Sequence, residues 1–153
     1  MHIRLRSLIT LLTSSLLLLP QSQSVLLAST VTNLSTRVKV ETNGGVAIAG
    51  FVVQGTGVKP VLIRALGPTL GTLGVANALG NPSLEIYDTG GTKFGSNDDW
   101  DQSTGDIQIM HQALGISLPK PQESVIYTVL PPGAYTAIVR GVGNTSGVAL
   151  VEI

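Results

Sequence analysis

The sequence predicts an all-β protein: a single antiparallel β-sandwich, jelly-roll-like, with about eight strands and one short helix, after a cleaved signal peptide. Charged residues make up only 12% of the 153 residues, about half of the usual ~25%. The 18 glycines and 8 prolines are frequent enough to end elements at short intervals. Short apolar runs recur between these turn residues and only one stretch has helical periodicity, a pattern typical of a sandwich or barrel.

Residues 1–24 have the three parts of a secretory signal peptide. Arg4 and Arg6 supply positive charge, residues 8–19 form an apolar run, and Ser22 and Ser24 place small residues before the cleavage site. The run has about 12 residues, whereas a membrane span needs ~20, so export with cleavage is favoured over an anchor. Residues 25–32 then form an apolar N-terminal segment, which also offers a second cleavage position, and residues 33–153 form the β-sandwich domain.

The predicted strands are apolar or alternating runs bounded by turn residues: 37–41, 46–53, 60–66, 84–88, 93–94, 124–130, 134–140 and 148–153. Asn43-Gly44 between the first two is a signal for a tight hairpin turn. The helix is expected to begin at Asp106 and to end at Gly115, because Ile107, Met110 and Leu114 recur at helical spacing.

Two stretches are predicted to be loops. Residues 67–82 repeat the pair Leu-Gly and are expected to form an ordered, self-packed surface loop with a helical turn near residues 75–79. Residues 96–105 are polar and acidic.

Several motifs carry a resemblance. They include Arg-Ala-Leu-Gly-Pro at residues 64–68 and Pro-Pro-Gly-Ala-Tyr-Thr at residues 131–136. With these blocks, residues 33–153 resemble a repeated β-sandwich module of large secreted bacterial proteins. Through its Tyr87-Asp88 turn, its Asn97-Asp98 loop and the Pro-Gly-x-Tyr strand, the second half also resembles the bacterial pre-peptidase C-terminal domain. Neither resemblance implies a catalytic mechanism.

Composition and motifs disfavour several classes of function. The nine basic and nine acidic residues leave no positive excess for nucleic-acid binding by bulk electrostatics. With no cysteine, disulfides and thiolate zinc sites are excluded. His111 is the one histidine beyond residues 1–24, no G-x-S-x-G elbow accompanies it, and one histidine cannot supply a two-histidine zinc site. A structural or surface histidine is the simpler interpretation, so no enzyme and no organic cofactor are predicted.

The acidic loop is the best candidate for a site. Asn97, Asp98, Asp99 and Asp101 place oxygen ligands on a short segment, as a hard cation such as Ca²⁺ prefers. The alternative is a solvated acidic loop with Asp106 capping the helix. Trp100, inside the loop, is a candidate ligand contact that could stack on a sugar ring, or else an anchor that holds the loop on the domain.

Charged residues on the strands have simpler interpretations. Arg64 and Arg140 lie within apolar strands and are expected to pair with Glu85 or Asp88, since an inward arginine needs a carboxylate partner. Glu123 and Glu152 lie at strand ends and are expected to be exposed.

The leading functional hypothesis is a secreted, non-catalytic binding or adhesion module outside the cell or at its surface, with a cell-surface glycan or protein as its partner. The alternative is a structural subunit of an extracellular fibre or layer that associates with itself by edge-strand pairing. In that hypothesis residues 148–153 form a poorly protected edge strand, to which the apolar residues 25–32 of a neighbour could add. Neither hypothesis involves nucleic acid or a membrane span in the mature chain.

Overall fold

The computed structural model describes residues 33–100, 105–117 and 119–153. The predicted signal peptide, the apolar segment 25–32 and Asp101 lie outside the described residues. Within the described ranges, no helix is long and apolar enough to cross a membrane.

The described residues form eight strands, as predicted, with boundaries that differ from the expected ones by at most three residues. In chain order the elements are β1 (Ser35–Val40), β2 (Ala47–Val53), β3 (Lys59–Leu66), α1 (Pro68–Thr72), β4 (Pro82–Asp88), β5 (Lys93–Asn97), α2 (Gly105–Leu114), β6 (Ser124–Leu130), β7 (Gly133–Gly141) and β8 (Gly147–Glu152). A short 3-10 turn joins β7 to β8.

The strands form two four-stranded antiparallel sheets. The first has the order β1-β8-β3-β6 and the second the order β2-β7-β4-β5. Four nested pairs, β1 with β8, β2 with β7, β3 with β6 and β4 with β5, are all antiparallel, as if one long hairpin had been rolled up. This strand order is that of a jelly roll, so the predicted fold class is confirmed.

The edge assignment of the last strand was wrong. β8 lies inside the first sheet, paired with β1 on one side and with β3 on the other. The sequence of a six-residue strand does not show whether the strand pairs on one side or on both, because edge strands and central strands can both be apolar. The four edge strands are β1 and β6 in the first sheet and β2 and β5 in the second.

The predicted turn at Asn43-Gly44 forms, but the hairpin does not. Asn43 and Gly44 both have positive φ, at 56° and 89°, the conformation that favours this residue pair. The strands on either side belong to different sheets, however. The turn therefore carries the chain from one sheet to the other, where β1 pairs with β8 and β2 pairs with β7.

The helical turn in the 67–82 loop lies earlier than predicted. It is α1, which begins at Pro68, where the fixed φ of proline suits a first helical position. Near the end of the same loop the chain is extended instead, since the Leu79 N–H donates to the Val148 carbonyl at 2.8 Å. Leu79 is fully buried in the main core, so the loop is ordered as expected, but it packs on the domain and not only on itself.

The main core lies between the sheets, and a smaller one lies outside the first sheet. In β2, for example, Ala47, Ala49 and Val53 are buried between the sheets while Ile48 and Val52 point outward. The smaller core packs α2 and the chain after it against the outer side of the first sheet; it contains Leu62, Trp100, Ile107 and Val125, with Met110, Ile116 and Tyr127 at its margin.

Helix α2 matches its prediction closely. It ends before Gly115, whose φ of +64° stops it. Its buried face consists of Ile107 and His111, with Met110 half-buried. The expected third apolar contact, Leu114, is 49% exposed.

Candidate functional site

The predicted metal loop is tied to the domain through Asn97. Its side-chain amide donates to the Asp99 carbonyl at 3.0 Å, and its side-chain oxygen accepts the Val125 N–H at 2.8 Å. Asp98 and Asp99 are exposed. In the described part of the chain no three acidic or histidine side chains gather as a metal site would require, and Asp101 lies outside it. Calcium binding by this loop stays a prediction, and the contacts of Asn97 are those of a structural residue.

Trp100 lies in the position of an anchor. Only 4% of its surface is exposed, its indole N–H donates to the Pro119 carbonyl at 3.1 Å, and its backbone N–H donates to the Glu123 carbonyl at 3.0 Å. Stacking on a sugar needs an open ring face, and this ring is enclosed in the smaller core. These contacts are those of an anchor, and the ligand contact of Trp100 stays a prediction.

His111 is also buried, with 1% of its surface exposed. Its Nδ1 lies 2.8 Å from the Ile107 carbonyl, which makes Nδ1 the donor, while Nε2 has no hydrogen-bond partner among the described residues. Burial lowers the pKa of His111 below its usual range, and the nearby Arg64 guanidinium lowers it further. The imidazole is therefore held neutral in a structural position.

Arg64 has a different partner from the one predicted. Its guanidinium binds the Glu152 carboxylate through Nε, at 2.8 Å, and Nη2, and it donates to the Ser117 carbonyl at 2.8 Å through Nη1. Arg64 and Glu152 are opposite each other in the β3–β8 pairing. Glu85 and Asp88 are in the second sheet, so the expected pairing of Arg64 was wrong, and so was the expected exposure of Glu152.

Two shallow cavities border Arg64, with volumes of about 130 and 200 Å³. Ligand pockets usually have volumes of about 300–1,000 Å³. Because the cavities are small and the guanidinium already has its partners, this region has no features of a small-molecule site.

Glu123 was expected to be exposed and is fully buried. Its carboxylate accepts hydrogen bonds from the Gly67 N–H at 3.1 Å, from the Thr69 N–H at 2.7 Å, from the Thr69 hydroxyl at 2.8 Å and from the Lys120 N–H at 2.8 Å. It thus satisfies the free donors at the start of α1, which has no cap from its own sequence. Glu123 is a structural residue, and its role depends on its contact with Gly67, which lies 56 positions earlier in the chain.

The outer face of the second sheet is open. Ile48 and Val52 of β2 are 64% and 63% exposed, although both are large, branched and apolar. Their neighbours in the β2–β7 pairing are Ile138 and Ala134, which point to the same side. We call these four residues the apolar strip. Gly50 lies between Ile48 and Val52 and adds no side chain.

A charged cluster borders the apolar strip. The Lys93 ammonium binds the Glu85 carboxylate, and Arg140 lies 3.7 Å from the other oxygen of Glu85. The hydrogen bond from Lys93 lowers the pKa of Glu85, and Glu85 in turn raises the pKa of Lys93. Arg140 thus has one of its predicted partners. Lys93 also lies 5.6 Å from the centre of the Tyr87 ring. The apolar strip and the charged cluster together form an apolar surface with a polar rim, the arrangement found in protein interfaces.

The edge of β2 is also the least protected of the four edges. The sequence of β2, Ala-Ile-Ala-Gly-Phe-Val-Val, has no charge and no proline, and its seven residues pair with β7 without a bulge. By contrast, β1 carries Arg37 and Lys39, and β5 carries Lys93 and pairs with β4 through a register shift. Charges and bulges are the usual defences of an edge strand.

The remaining edge strand, β6, is uncharged but covered at its start. The Asn97 side chain takes the Val125 N–H, and the Ser124 hydroxyl lies within hydrogen-bond distance of the Asn97 and Asp98 carbonyls. The candidate site is therefore the edge of β2 together with the apolar strip. In the sequence, the site is marked by the uncharged run of residues 47–53, but this run does not show that β2 lies at the edge of a sheet.

Comparison with solved structures shows a similarity of fold. The pre-peptidase C-terminal domain of a collagenase from Bacillus anthracis is similar in structure, with a TM-score of 0.48 and 11% identity, over 78% of this chain and 86% of that chain. No family model matches the chain, and no curated protein does. The resemblance to a repeated module of secreted bacterial proteins stays a prediction.

Proposed function

We propose that this protein is an exported, non-catalytic binding module, and that it binds an extended, uncharged polypeptide segment of a protein partner by strand addition along β2. Strand addition uses the free N–H and C=O groups of an edge strand for affinity, and the side chains beside them for selectivity. The observation that carries the proposal is the exposure of Ile48 and Val52 on an edge strand without charges.

The chemistry of the partner follows from the chemistry of β2. A charged segment would lose solvation along this strand and gain no opposite charge from it, so the strand favours an apolar segment. The cluster of Glu85, Lys93 and Arg140 borders the strip and supplies a polar rim. A glycan is less well supported as a partner, because Trp100, the candidate for stacking, is buried.

Export is part of the proposal and rests on residues 1–24, whose charge and apolar run are those of a signal peptide. Secretion of the protein by a host with a general export pathway tests this part. A signal-peptide variant in which the apolar run is interrupted by two lysines is expected to stay inside the cell.

Binding is tested with a peptide that has the sequence of residues 25–32, extended by a lysine tag for solubility. This segment is uncharged and mostly apolar, and it serves as a model strand. At dilute protein, titration is expected to shift the backbone amide resonances of β2 in a saturable manner. A peptide of the same length with two central residues replaced by lysine is the matched control and is expected to bind at least ~10-fold more weakly.

The protein side of the test uses the double variant Ile48→Lys/Val52→Lys, which is expected to lose peptide binding while it keeps its fold. Ile109→Lys is the matched control, because Ile109 is 62% exposed and lies on α2. Saturable binding that leaves the β2 resonances unchanged, or no binding at all, would contradict the proposal.

A further inference from the structure

We infer that the partner along β2 is a second copy of the same chain, paired antiparallel with its own β2 about a two-fold axis at Gly50. The inference rests on the proposed function, because it takes the edge of β2 as the binding edge. The two second sheets would then join into one continuous eight-stranded sheet.

The sequence of β2 is suited to this symmetric pairing. An axis at Gly50 places Ile48 opposite Val52 of the second copy, Ala47 opposite Val53 and Ala49 opposite Phe51. All seven residues of the strand then have a partner. The exposed residues on the outer side, Ile48 and Val52, meet each other, and the inward residues continue the two cores. Apolar and β-branched cross-strand pairs of this kind stabilise a sheet.

Charge favours the second copy over other occupants. A two-fold axis sets a strand against itself, so any charged residue near the axis would meet a like charge. The strand β2 contains none, whereas the same operation on β1 would bring Arg37 and Lys39 of the two copies together. Of the four edge strands, β2 is the one that is uncharged and that, among residues 33–100, 105–117 and 119–153, has no further strand or loop hydrogen-bonded to its free edge.

Gly50 gives a second, independent indication. A Cβ added at this position would meet nothing nearer than the Tyr135 carbonyl at 4.0 Å, so the domain itself leaves room for a side chain. A glycine within a strand is destabilising relative to alanine and often marks a close approach of another backbone. In the proposed dimer Gly50 lies on the axis, where two outward side chains would otherwise face each other.

This pairing is isologous and therefore closes on itself. It uses the same surface on both copies and leaves no second β2 edge for a third copy. The expected species is a dimer, in contrast to the fibre or layer of the alternative functional hypothesis.

The test is the oligomeric state of the purified chain, measured by sedimentation velocity over a wide range of concentration. The wild-type chain is expected to show a monomer–dimer equilibrium. In the variant Ile48→Lys/Val52→Lys each ammonium lies opposite another, and the dimer dissociation constant is expected to rise by at least ~100-fold. The variant Ile48→Lys/Val52→Glu places an ammonium opposite a carboxylate in this register and is expected to recover most of the affinity.

Ile109→Lys and Val129→Lys are the controls, since both side chains are at least half exposed and lie elsewhere. They are expected to leave the equilibrium unchanged. Circular dichroism of each variant reports whether the fold is kept. A folded Lys/Glu variant that remains monomeric overturns the register and with it the inference, and so does a dimer that tolerates both lysines on β2.

The inference and the proposed function fail in different ways. A wild-type chain that is monomeric at every concentration overturns the dimer, yet it still binds the model peptide at β2 if the proposed function is right. A chain that neither dimerises nor binds the peptide overturns both. Filaments instead of dimers overturn the isologous pairing.

Discussion

The outer faces of the two sheets differ in what covers them. The outer face of the first sheet contains Arg64, Glu152 and Leu62 and is covered by α2 and the chain that follows it. The outer face of the second sheet carries Ile48 and Val52 in solvent. The ion pair of Arg64 and Glu152 therefore lies under cover while two large apolar side chains face water, the reverse of what solvation would favour for each group alone.

This difference is the basis of the proposed binding surface. The buried charged groups are paired or hydrogen-bonded: Arg64 with Glu152 on the covered face, and Glu123, which precedes β6, with the start of α1. These contacts explain why the charged groups are buried, and no ligand is needed for that explanation. On the open face, nothing in the described part of the chain accounts for the exposed apolar strip, and this is why we place the binding surface there.

The largest effect is expected from the buried ion pair. Glu152→Leu leaves the Arg64 guanidinium buried without its carboxylate, and breaking such a pair costs about 3–5 kcal/mol of unfolding free energy. The double variant Arg64→Met/Glu152→Leu is expected to recover most of the loss, because no charge remains uncompensated. Urea unfolding of the three proteins measures this. Equal stability of wild type and Glu152→Leu would show that the covered face is not organised around the pair.

Glu123→Ala is expected to lower the unfolding free energy by about 2–3 kcal/mol, since it leaves the buried backbone donors of Gly67 and Thr69 without an acceptor. Glu41→Ala is the matched control. Glu41 is exposed and paired only with Lys39 on the surface, and exposed ion pairs contribute about 0–1 kcal/mol. If the two variants were equally stable, the capping role of Glu123 would be refuted.

Asn97→Ala is expected to cost about 1–2 kcal/mol, because it removes the hydrogen bonds to Val125 and Asp99. The melting temperature measured with chelator and with millimolar Ca²⁺ separates this structural role from the predicted cation site. A loss of equal size under both conditions is the expected result. A loss confined to the calcium-containing sample would assign Asn97 to the cation instead.

A smaller effect concerns pH. The pKa of His111 is lowered by burial, so below about pH 6.5 the unfolded chain takes up a proton that the folded chain does not. The unfolding free energy is therefore expected to fall as the pH falls through this region, until the lower pKa of the folded state is reached. Charges that act on the imidazole come from Arg64 of β3 and Glu152 of β8. His111→Gln is expected to flatten this part of the pH profile, as measured by urea unfolding; an unchanged slope would exclude His111 as its source.

The smallest change in stability is expected on the open face. Ile48→Thr and Val52→Thr replace exposed side chains by another β-branched residue, and such surface changes usually stay within about 0.5 kcal/mol. The dimer equilibrium is nevertheless expected to weaken in both. A large loss of stability in the dilute monomer would mean that these residues belong to the core of the domain and not to a binding surface.

The local pattern of apolar and polar residues was enough to predict the strands and the helix, but it did not predict which strands pair with each other. The runs at 46–53 and 148–153 are both uncharged or nearly so, and from the sequence alone the second is the predicted exposed edge. The structure places β8 between two strands and β2 at an edge. Strand order depends on how the rolled-up chain pairs over long distances, and hydrophobic pattern over six or seven residues carries no signal for it.

The candidate site shows the same limit. The residue types of Trp100 and Asn97 suit ligands, and in the fold both side chains hydrogen-bond to the domain. The position of Glu123 next to a strand predicts exposure, yet Glu123 is buried, with its carboxylate accepting the first N–H groups of α1. A residue's type indicates which contacts it can make, but the choice among them depends on what the fold brings near.

The sequence by itself determined the β-sandwich class, the eight strands, helix α2 and the turn at Asn43-Gly44, because alternation, helical spacing and the conformational preferences of glycine and asparagine act within a few residues. Only the tertiary structure decided which strands lie at the edges, which carboxylate pairs with Arg64 and which face stays uncovered. These features depend on contacts between residues far apart in the chain, such as Arg64 with Glu152. Bringing such residues together costs chain entropy, and only the packing of the whole domain offsets that cost.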